Sequence, residues 1–326
     1  MKTLIIGGSG NIGHGVILSL LEKSAEVTLF HRGKTTSQVN EIESIFGDRN
    51  NADELEKAIS SQPFDIVIDL ICQNKTQAEA LVEICTEKVE HIILSSSVTT
   101  YGNKFRGRSI LPTDMQKPEF EYSQNKLDCE KALFDASLEK KFNLTIMRLA
   151  NIYGHGRLMP CQLSFKSVAW DRILNDQPIL CSSDGQALTH ITHITDIGNA
   201  FANACLNETC YQKAYHLVYE KCLTWNQYYN AIADSLEKTL KLIYAPKDIL
   251  LELGNEKYDS TLGHIMGHHQ YYDSTSTYRD IPEFEKTIPL NTGAKDVILN
   301  AKEKGFLPAW DSDTIYNQIV KHFQES

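Results

Sequence analysis

A tyrosine and a lysine four residues apart form the pattern in this sequence that is best suited to proton transfer. Tyr122 and Lys126 make Y-x-x-x-K within a stretch predicted to be helical, so both side chains would lie on one face of the helix. A phenol with a pKa of about 10 is almost fully protonated at neutral pH, and a nearby ammonium favours the phenolate. Tyr122 would then exchange a proton with a hydroxyl or carbonyl oxygen. An ordinary pair on a helix surface is the alternative.

Three evenly spaced glycines near the N-terminus form a candidate phosphate site. Gly7, Gly10 and Gly13 follow the first predicted strand and open the first predicted helix. Glycine permits a tight strand-to-helix turn and lets the backbone approach a pyrophosphate, whose oxygens the helix N-terminus can bind through free N–H groups. We therefore predict a dinucleotide site, with Asn11 and Ile12 as further contacts. A flexible turn is the alternative.

The residues after the second predicted strand bear on the adenosine end of such a dinucleotide. NAD sites usually carry an acid there, which binds the ribose 2′-hydroxyl and repels a 2′-phosphate. This sequence has His31, Arg32 and Lys34 instead, which favours NADP(H) over NAD(H), although cations exposed for solubility would look the same. Asp48, after the third predicted strand, is a candidate for binding the adenine amino group or a plain turn residue.

A run of serines marks the end of the fifth predicted strand. Ser95, Ser96 and Ser97 follow Leu94, and the carboxyl ends of the strands in an open α/β sheet are where ligand groups are presented. Ser97 could therefore hydrogen-bond the substrate oxygen beside Tyr122. The alternative is a polar turn.

Short apolar runs alternate with longer amphipathic ones, which is typical of βαβ units. The predicted strands lie at residues 4–6, 27–30, 43–46, 65–69, 91–94 and 143–148, and the predicted helices at residues 12–23, 53–60, 75–86 and 122–140. Strands separated by helices imply parallel crossovers, so the predicted fold class is α/β, a Rossmann doubly wound parallel sheet with a smaller α/β substrate-binding domain.

The predicted domains are interleaved. Residues 1–155 form the dinucleotide-binding domain together with a returning segment at about 191–219, which includes a predicted strand at 215–219. Residues at about 156–190 and 220–326 form the substrate-binding domain. Substrate would then lie in the cleft between the two domains.

Composition narrows the class of protein. With 32 Lys and Arg against 42 Asp and Glu, the net charge is −10, which gives no general attraction to polyanions. No two of the eight cysteines form a C-x-x-C pair, as expected for thiols in a reducing compartment. No apolar stretch is long enough to span a bilayer. We expect a cytoplasmic protein. His264 and His268 could face one metal ion if helical, but neighbouring glycines weaken that helix and no metal is expected. A loop of the substrate pocket or a solvated turn is the better interpretation of this segment.

The glycine loop, Ser97 and the Tyr122/Lys126 pair together resemble the motifs of the extended short-chain dehydrogenase/reductase family, the group of NAD(P)-dependent epimerases and dehydratases. The resemblance covers nearly the whole chain. It implies that Tyr122 transfers the proton, that Lys126 binds the nicotinamide ribose and tunes Tyr122, and that Ser97 orients the reacting oxygen. It further implies an oxidoreductase or epimerase acting at a hydroxyl or carbonyl carbon of a sugar or nucleotide-sugar-like small molecule, and a homodimer formed through a helix pair.

Two later segments extend the resemblance. The stretch Arg148-Leu149-Ala150-Asn151-Ile152-Tyr153-Gly154 is similar to the family's R-x-x-N-x-Y-G, whose asparagine contacts substrate, so Asn151 is a candidate substrate contact. His193-Ile194-Thr195-Asp196 is similar to its H-V-x-D segment. Arg279 could meet a substrate phosphate, and surface pairing with Asp280 is the alternative.

Departures from the family pattern bear on the reaction. Val98 and Thr99 occupy the positions where 4,6-dehydratases usually carry an acid pair, so dehydration is disfavoured. Residues Gln186–His190 lack the arginine with which many epimerases hold a nucleotide diphosphate, which leaves the nucleotide part of the substrate open. An NADPH-dependent reductase of a small non-sugar carbonyl is therefore an alternative.

A second alternative is a protein without catalysis. The segments Phe30–Lys34 and Gly47–Arg49 are similar to those of a divergent branch of the family that includes chloroplast RNA-binding proteins. That similarity allows a nucleotide-sensing or RNA-binding role. The net charge of −10 and the lack of an arginine and aromatic stripe argue against a nucleic-acid partner.

Overall fold

A parallel seven-stranded sheet lies at the centre of the protein, for which a computed structural model describes residues 1–33, 42–139, 141–155 and 159–325. The strands, in chain order, are β1 (Lys2–Ile6), β2 (Glu26–His31), β3 (Glu43–Phe46), β4 (Ile66–Asp69), β5 (His91–Ser97), β6 (Asn143–Leu149), β7 (Asn151–Tyr153), β8 (Ile179–Ser182), β9 (Leu188–Thr189), β10 (Ile191–His193), β11 (Lys213–Leu217), β12 (Leu223–Thr224) and β13 (Leu242–Ala245).

Helices connect and cover these strands. They are α1 (Asn11–Glu22), α2 (Ala52–Ile59), α3 (Lys75–Cys85), α4 (Glu121–Leu138), α5 (Ala169–Leu174), α6 (Ile194–Ala204), α7 (Trp225–Ser235), α8 (Lys247–Gly254), α9 (Thr275–Asp280), α10 (Leu290–Glu303) and α11 (Thr314–Glu325). A 3₁₀ turn at Val98–Tyr101 directly follows β5, and residues Asp259–Met266 form a π-helix.

The strand order of the central sheet is β11-β6-β5-β4-β1-β2-β3, with every neighbouring pair parallel. The order reverses between β1 and β4, so loops from these two strands diverge and leave a crevice at their carboxyl ends. The predicted Rossmann-type α/β fold is confirmed. The returning strand is also found, paired with β6, but it begins two residues earlier than the sequence pattern predicts.

Apolar side chains fill both faces of the sheet, which is why its central strands read as continuous apolar runs. On one face the core includes Val16, Leu20 and Phe201 from α1 and α6. On the other face it includes Leu81 and Leu133 from α3 and α4. The two layers of helices fix α1 and α4 relative to the sheet, and so fix the start of each helix at its carboxyl edge.

The later part of the chain packs around a separate aromatic core. The core is centred on Trp170, Trp225, Tyr228 and Tyr229, all fully buried. Around it lie three small two-stranded sheets, β7 with β10, β9 with β12, and β8 with β13. The division of the chain into two interleaved domains stays a prediction. None of the helices in the described residues is both long and apolar enough to cross a membrane.

Candidate active site

The glycine loop after β1 forms an open cradle at the start of α1. Gly7 has φ +84°, a conformation that favours glycine, and a Cβ there would lie 2.5 Å from the Cγ2 of Ile71. A Cβ on Gly13 would lie 2.1 Å from the carbonyl oxygen of Gly8, whereas one on Gly10 would meet nothing within 4 Å. The fold of the loop therefore requires glycine at Gly7 and Gly13. Gly10 has no such constraint and leaves the space before the N-terminus of α1 open.

This difference gives a matched pair of variants. Gly13→Ala is expected to destabilise the loop and lower the melting temperature, because its methyl group collides with backbone. Gly10→Ala is expected to keep the melting temperature but to raise the Kd for a dinucleotide at least about tenfold, about 1.4 kcal/mol, because its methyl group fills the approach to a phosphate. Thermal melts and dinucleotide titrations of both variants check this. Equal dinucleotide affinity in Gly10→Ala and the wild type would contradict the assignment of the loop.

Two side chains at this edge of the sheet have buried donor or acceptor atoms without a partner among the described residues. They are the Nδ2 amide of Asn11, the first residue of α1, and the Nε2 atom of His31, the last residue of β2. The Nδ1 atom of His31 accepts a hydrogen bond from the N–H of Gly33 at 3.3 Å, and burial lowers the pKa of this imidazole. Buried polar atoms are normally satisfied, so unpaired ones beside an open cradle fit a polar ligand.

The structure describes two of the three remaining candidates for the adenosine end. Arg32 is exposed, and Lys34 lies outside the described residues. Asp48 follows β3, where its side chain accepts hydrogen bonds from the backbone N–H of Asn50 at 2.9 Å and from its amide at 3.0 Å. These bonds form a local turn, the alternative considered for Asp48 from the sequence.

Lys126 is held in place by backbone carbonyls. Lys126 is part of α4, and its side chain is buried. Its Nζ donates to the carbonyl oxygens of Cys72 at 2.7 Å and Ser95 at 3.0 Å. An ammonium has three N–H donors, so these two bonds leave one donor for another partner. The fixed position of Lys126 thus comes from the loop after β4 and from β5.

Ser97, the last residue of β5, has a similarly constrained hydroxyl. Its Oγ accepts hydrogen bonds from the backbone N–H of Thr99 at 3.2 Å and from the Thr99 hydroxyl at 3.0 Å. Because a hydroxyl offers two acceptor lone pairs and one donor, both lone pairs are occupied and the proton is left to donate. The turn after β5 therefore prepares Ser97 as a hydrogen-bond donor.

A cavity of about 470 Å³ brings the predicted chemical groups together. Ser97, Tyr122, Lys126, Asn151 and Ile12 all contribute to its wall, and Tyr122 is 44% exposed. Its other lining residues come from the loop after β4, from α4 and its N-cap, and from the later part of the chain; they include Ile71, Gln73, Phe120, Phe165, His264 and Gln270. Tyr122 and Lys126, near the start of α4, therefore line the same cavity as Ser97.

Aromatic rings join the two sides of this cavity. The ring of Phe120, the N-cap residue of α4, stacks on His264 of the π-helix with centroids 5.0 Å apart, and on Tyr122 at 6.3 Å. π-helical turns in proteins frequently occur at functional sites. His264 lines this cavity, as one of the two interpretations preferred from the sequence, a loop of the substrate pocket, would require.

Asn151 points its amide away from bulk solvent. Its Nδ2 donates to the Thr189 hydroxyl at 2.9 Å and to the Oε1 of Gln270 at 2.6 Å, and all three residues are buried. With its Oε1 occupied by Asn151, Gln270 has its amide N–H₂ left to present to a ligand in the cavity. Gln270 lies far away in the sequence and has no motif that could have marked it.

Arg279, a candidate contact for a substrate phosphate, does not line this cavity. It lines a separate cavity beside β11, where its guanidinium pairs with the carboxylate of Asp280 at 2.7 Å and is largely exposed. Its helix, α9, packs against β11. The surface pairing considered as the alternative is what the structure contains.

The two histidines considered as a metal site have different partners. His264 stacks on Phe120, while the His268 ring contacts the Gly263 carbonyl oxygen at 2.7 Å. Within residues 1–33, 42–139, 141–155 and 159–325 no three His, Cys, Asp or Glu side chains converge as a metal site would require.

Two buried ion pairs lie near the carboxyl ends of β4 and β6. Arg148 pairs with Glu130 at 2.6 Å, and Glu130 also accepts a hydrogen bond from Ser96 at 2.5 Å. Arg49 pairs with Asp69, the last residue of β4, at 2.8 Å. Arg49 and Arg148, which come from two segments that resemble the family, therefore stabilise this edge of the sheet and do not line the cavity.

This chain belongs to the family described as NAD dependent epimerase/dehydratase family, whose profile matches residues 3–215. The match includes β1 to β6 and the whole glycine loop, Ser97, Tyr122 and Lys126. Family membership defines the class of protein as that of the NAD-dependent epimerases and dehydratases.

Among curated relatives, the chain is 24% identical over 249 residues to 2'-dehydrokanamycin reductase of Streptomyces kanamyceticus, which covers 76% of this chain and 70% of the reductase. It is 27% identical over 242 residues to chloroplast stem-loop binding protein of 41 kDa b of Arabidopsis thaliana, which covers 69% of this chain and 60% of that protein. This chain is thus similar both to a reductase and to a stem-loop binding protein.

Solved structures share the fold at low identity. A UDP-glucose 4-epimerase of Thermotoga maritima, with UDP-glucose, superimposes with a TM-score of 0.75 at 17% identity, covering 93% of this chain and 99% of the epimerase. A dTDP-glucose 4,6-dehydratase of Bacillus anthracis, in complex with NAD, gives 0.74 at 14% identity, covering 93% and 97%. The likeness extends equally to a dehydratase, so it does not support the exclusion of dehydration expected from Val98 and Thr99.

Proposed function

We propose that this protein is an NAD(P)-dependent oxidoreductase or epimerase that acts at a hydroxyl or carbonyl carbon of a sugar or nucleotide-sugar-like substrate. Ser97, Tyr122 and Lys126 carry the reaction in this proposal. The observation that supports it most is that all three line one cavity, next to the first turn of α1 and at the carboxyl edge of the sheet.

The residues at this edge fit a dinucleotide. The cradle at Gly10 would admit the pyrophosphate, and the unpaired Nδ2 of Asn11 and Nε2 of His31 would each gain a partner. Lys126 would give its third N–H to the nicotinamide ribose. When bound, the dinucleotide supplies a carbon that accepts or donates a hydride.

The proton follows a separate route from the hydride. Ser97 would donate its free hydroxyl proton to the substrate oxygen and so hold it against the Tyr122 hydroxyl. Tyr122, on the same helix face as Lys126, would accept a hydroxyl proton or return it to a carbonyl oxygen. Positioning of the substrate oxygen by fixed groups supplies the rest of the rate enhancement.

An epimerase and a reductase differ in what they consume. Purified protein would be incubated with each dinucleotide and a panel of nucleotide sugars and small ketones, while nicotinamide absorbance and product NMR are followed. Epimerisation gives a new stereoisomer without net change in the dinucleotide, and reduction consumes it stoichiometrically. Absence of any conversion together with absence of dinucleotide binding would overturn the proposal.

A reductase of a small carbonyl is the second candidate. The similarity to 2'-dehydrokanamycin reductase over 76% of the chain favours it. The same three residues would carry that reaction, because protonation of a carbonyl oxygen also requires Tyr122. The ketones of the panel test it directly, and turnover only of nucleotide sugars would contradict it.

Preference for NADP(H) is a further part of the proposal, supported by the exposed guanidinium of Arg32 after β2. Arg32→Ala is expected to raise the apparent KM for NADPH about tenfold, which corresponds to about 1.4 kcal/mol. The apparent KM for NADH should stay unchanged, because only NADPH carries a 2′-phosphate. Lys221→Ala, another exposed cation, is the control and should change neither value. A wild-type enzyme that prefers NADH would contradict this assignment.

The homodimer implied by the family resemblance is also a proposal. Helices α3 and α4 pack against each other along the outer face of the sheet. Sedimentation velocity of the purified protein measures the assembly directly. A monomer at all concentrations tested would contradict it.

A further inference from the structure

Two buried thiols lie side by side beneath Lys126. Cys72, in the loop after β4, and Cys129, on α4, are both fully buried, and their sulfur atoms are 3.5 Å apart. The proposed reaction uses neither of them. Their contact places two oxidisable groups within reach of each other at the base of the active-site cavity.

Both cysteines are connected to the position of Lys126. The carbonyl oxygen of Cys72 accepts the 2.7 Å hydrogen bond from the Lys126 Nζ. Cys129 lies three residues after Lys126 on α4, almost one helical turn further. A disulfide between the two sulfurs would therefore tie the loop after β4 directly to the helix that carries Lys126.

The two thiols are electrostatically different. The Cys72 thiol donates to the Cys129 sulfur, and the cations of Lys126 and Arg49 lie nearby, so the pKa of Cys129 is below that of an ordinary thiol. The hydrogen bond and burial raise the pKa of Cys72 far above it. Cys129 is thus the better nucleophile and Cys72 the proton donor, which is the division of roles that thiol oxidation needs.

We propose that Cys72 and Cys129 form a redox modification site, in which hydrogen peroxide converts the dithiol to a disulfide that displaces Lys126. The Cys129 thiolate attacks one peroxide oxygen, the O–O bond breaks, and the leaving hydroxide takes a proton to become water. The Cys72 sulfur then attacks the resulting sulfenic sulfur, the S–O bond breaks, and the second water leaves with the Cys72 proton. Two thiols lose two electrons and one peroxide gains them.

Access and geometry are both consistent with this step. Ile71 and Gln73, on either side of Cys72 in the chain, line the active-site cavity, so this cavity is the side from which peroxide would approach the buried thiols. A disulfide needs a sulfur separation of about 2.05 Å, so the sulfurs must approach by about 1.5 Å. Such a shift would disturb the carbonyl that holds Lys126 and weaken dinucleotide binding.

The test uses the full-length protein, reduced and then treated with hydrogen peroxide. Intact mass spectrometry should show the loss of two hydrogens, peptide mapping should join Cys72 to Cys129, and dithiothreitol should reverse both. The Kd for NADPH should rise at least about tenfold on oxidation, about 1.4 kcal/mol, and recover on reduction. Cys129→Ala and Cys72→Ala should each abolish the response relative to their own reduced state.

Cys85→Ala provides the control, since Cys85 is another fully buried thiol, on α3, whose pKa is raised by burial. It should respond as the wild type does. Failure to recover a Cys72–Cys129 linkage, or a linkage through another cysteine, would overturn the proposed modification site. A correct linkage with unchanged affinity would overturn its effect on Lys126.

The effect on Lys126 rests on the proposed function, but the linkage does not. If the reduced protein binds no dinucleotide, the proposed function fails while peptide mapping still decides whether the disulfide forms.

Discussion

Tyr122→Phe is expected to lower turnover by about 10²–10⁴-fold, the range that a positioned acid or base contributes. The substitution removes the proton-transfer hydroxyl and keeps the ring that packs near Phe120. Since Tyr122 is 44% exposed and does not anchor the core, folding and dinucleotide affinity should stay close to the wild type. Steady-state kcat with the substrate found in the panel, and a dinucleotide titration, measure the two effects separately.

Tyr244→Phe is the matched control for this prediction. Tyr244 is a tyrosine of similar exposure, 49%, on β13, with its hydroxyl bonded to Asn226 at 3.1 Å. Its loss should leave turnover unchanged. Near-wild-type turnover in Tyr122→Phe would show that another group moves the proton, and His264 would then be the next to replace because it lines the same cavity.

Arg148→Met is expected to destabilise the protein by about 3–5 kcal/mol, the usual effect of removing one partner of a buried ion pair. Arg148 binds Glu130 through two nitrogens, at 3.0 and 2.6 Å, and both side chains are buried. The substitution leaves the Glu130 carboxylate with Ser96 and Gln116 as neutral partners only. Urea denaturation, from the midpoint and slope, measures the change.

Two further variants separate the buried charge from general damage. Glu130→Gln in the Arg148→Met background removes the unpaired charge and should recover part of the lost stability. Arg108→Met breaks an exposed pair with Asp114 and should leave the midpoint essentially unchanged. If the double variant recovers no stability, the loss comes from packing around Arg148 and not from the unpaired carboxylate of Glu130.

The first half of the fold was predictable because its signals are local. Strands β1, β2, β4, β5 and β6 are apolar runs between amphipathic helices, and each was expected within about three residues of where it lies. Their parallel arrangement follows from the crossover rule, since a helix separates each pair. The small sheets of the later region were not predicted, because strands such as β9 and β12 are two residues long and pair only through distant contacts.

The site was predictable where one element carries the whole pattern. Tyr122 and Lys126 lie on one helix, and Ser97 ends a strand, so their position at one sheet edge follows from topology. His264 and Gln270 reach the cavity only because the later region folds over it, which no local spacing records. The position of Arg279 outside this cavity has the same cause, since the place of α9 depends on its packing against β11.

Equilibrium binding of NADH and NADPH to the purified protein tests the central claim most directly, because it needs no knowledge of the substrate. We predict saturable binding of one dinucleotide per chain, weakened at least about tenfold by Gly10→Ala, about 1.4 kcal/mol. Absence of saturable binding of either dinucleotide by the folded wild-type protein would contradict the assignment of the glycine loop and of the whole active site.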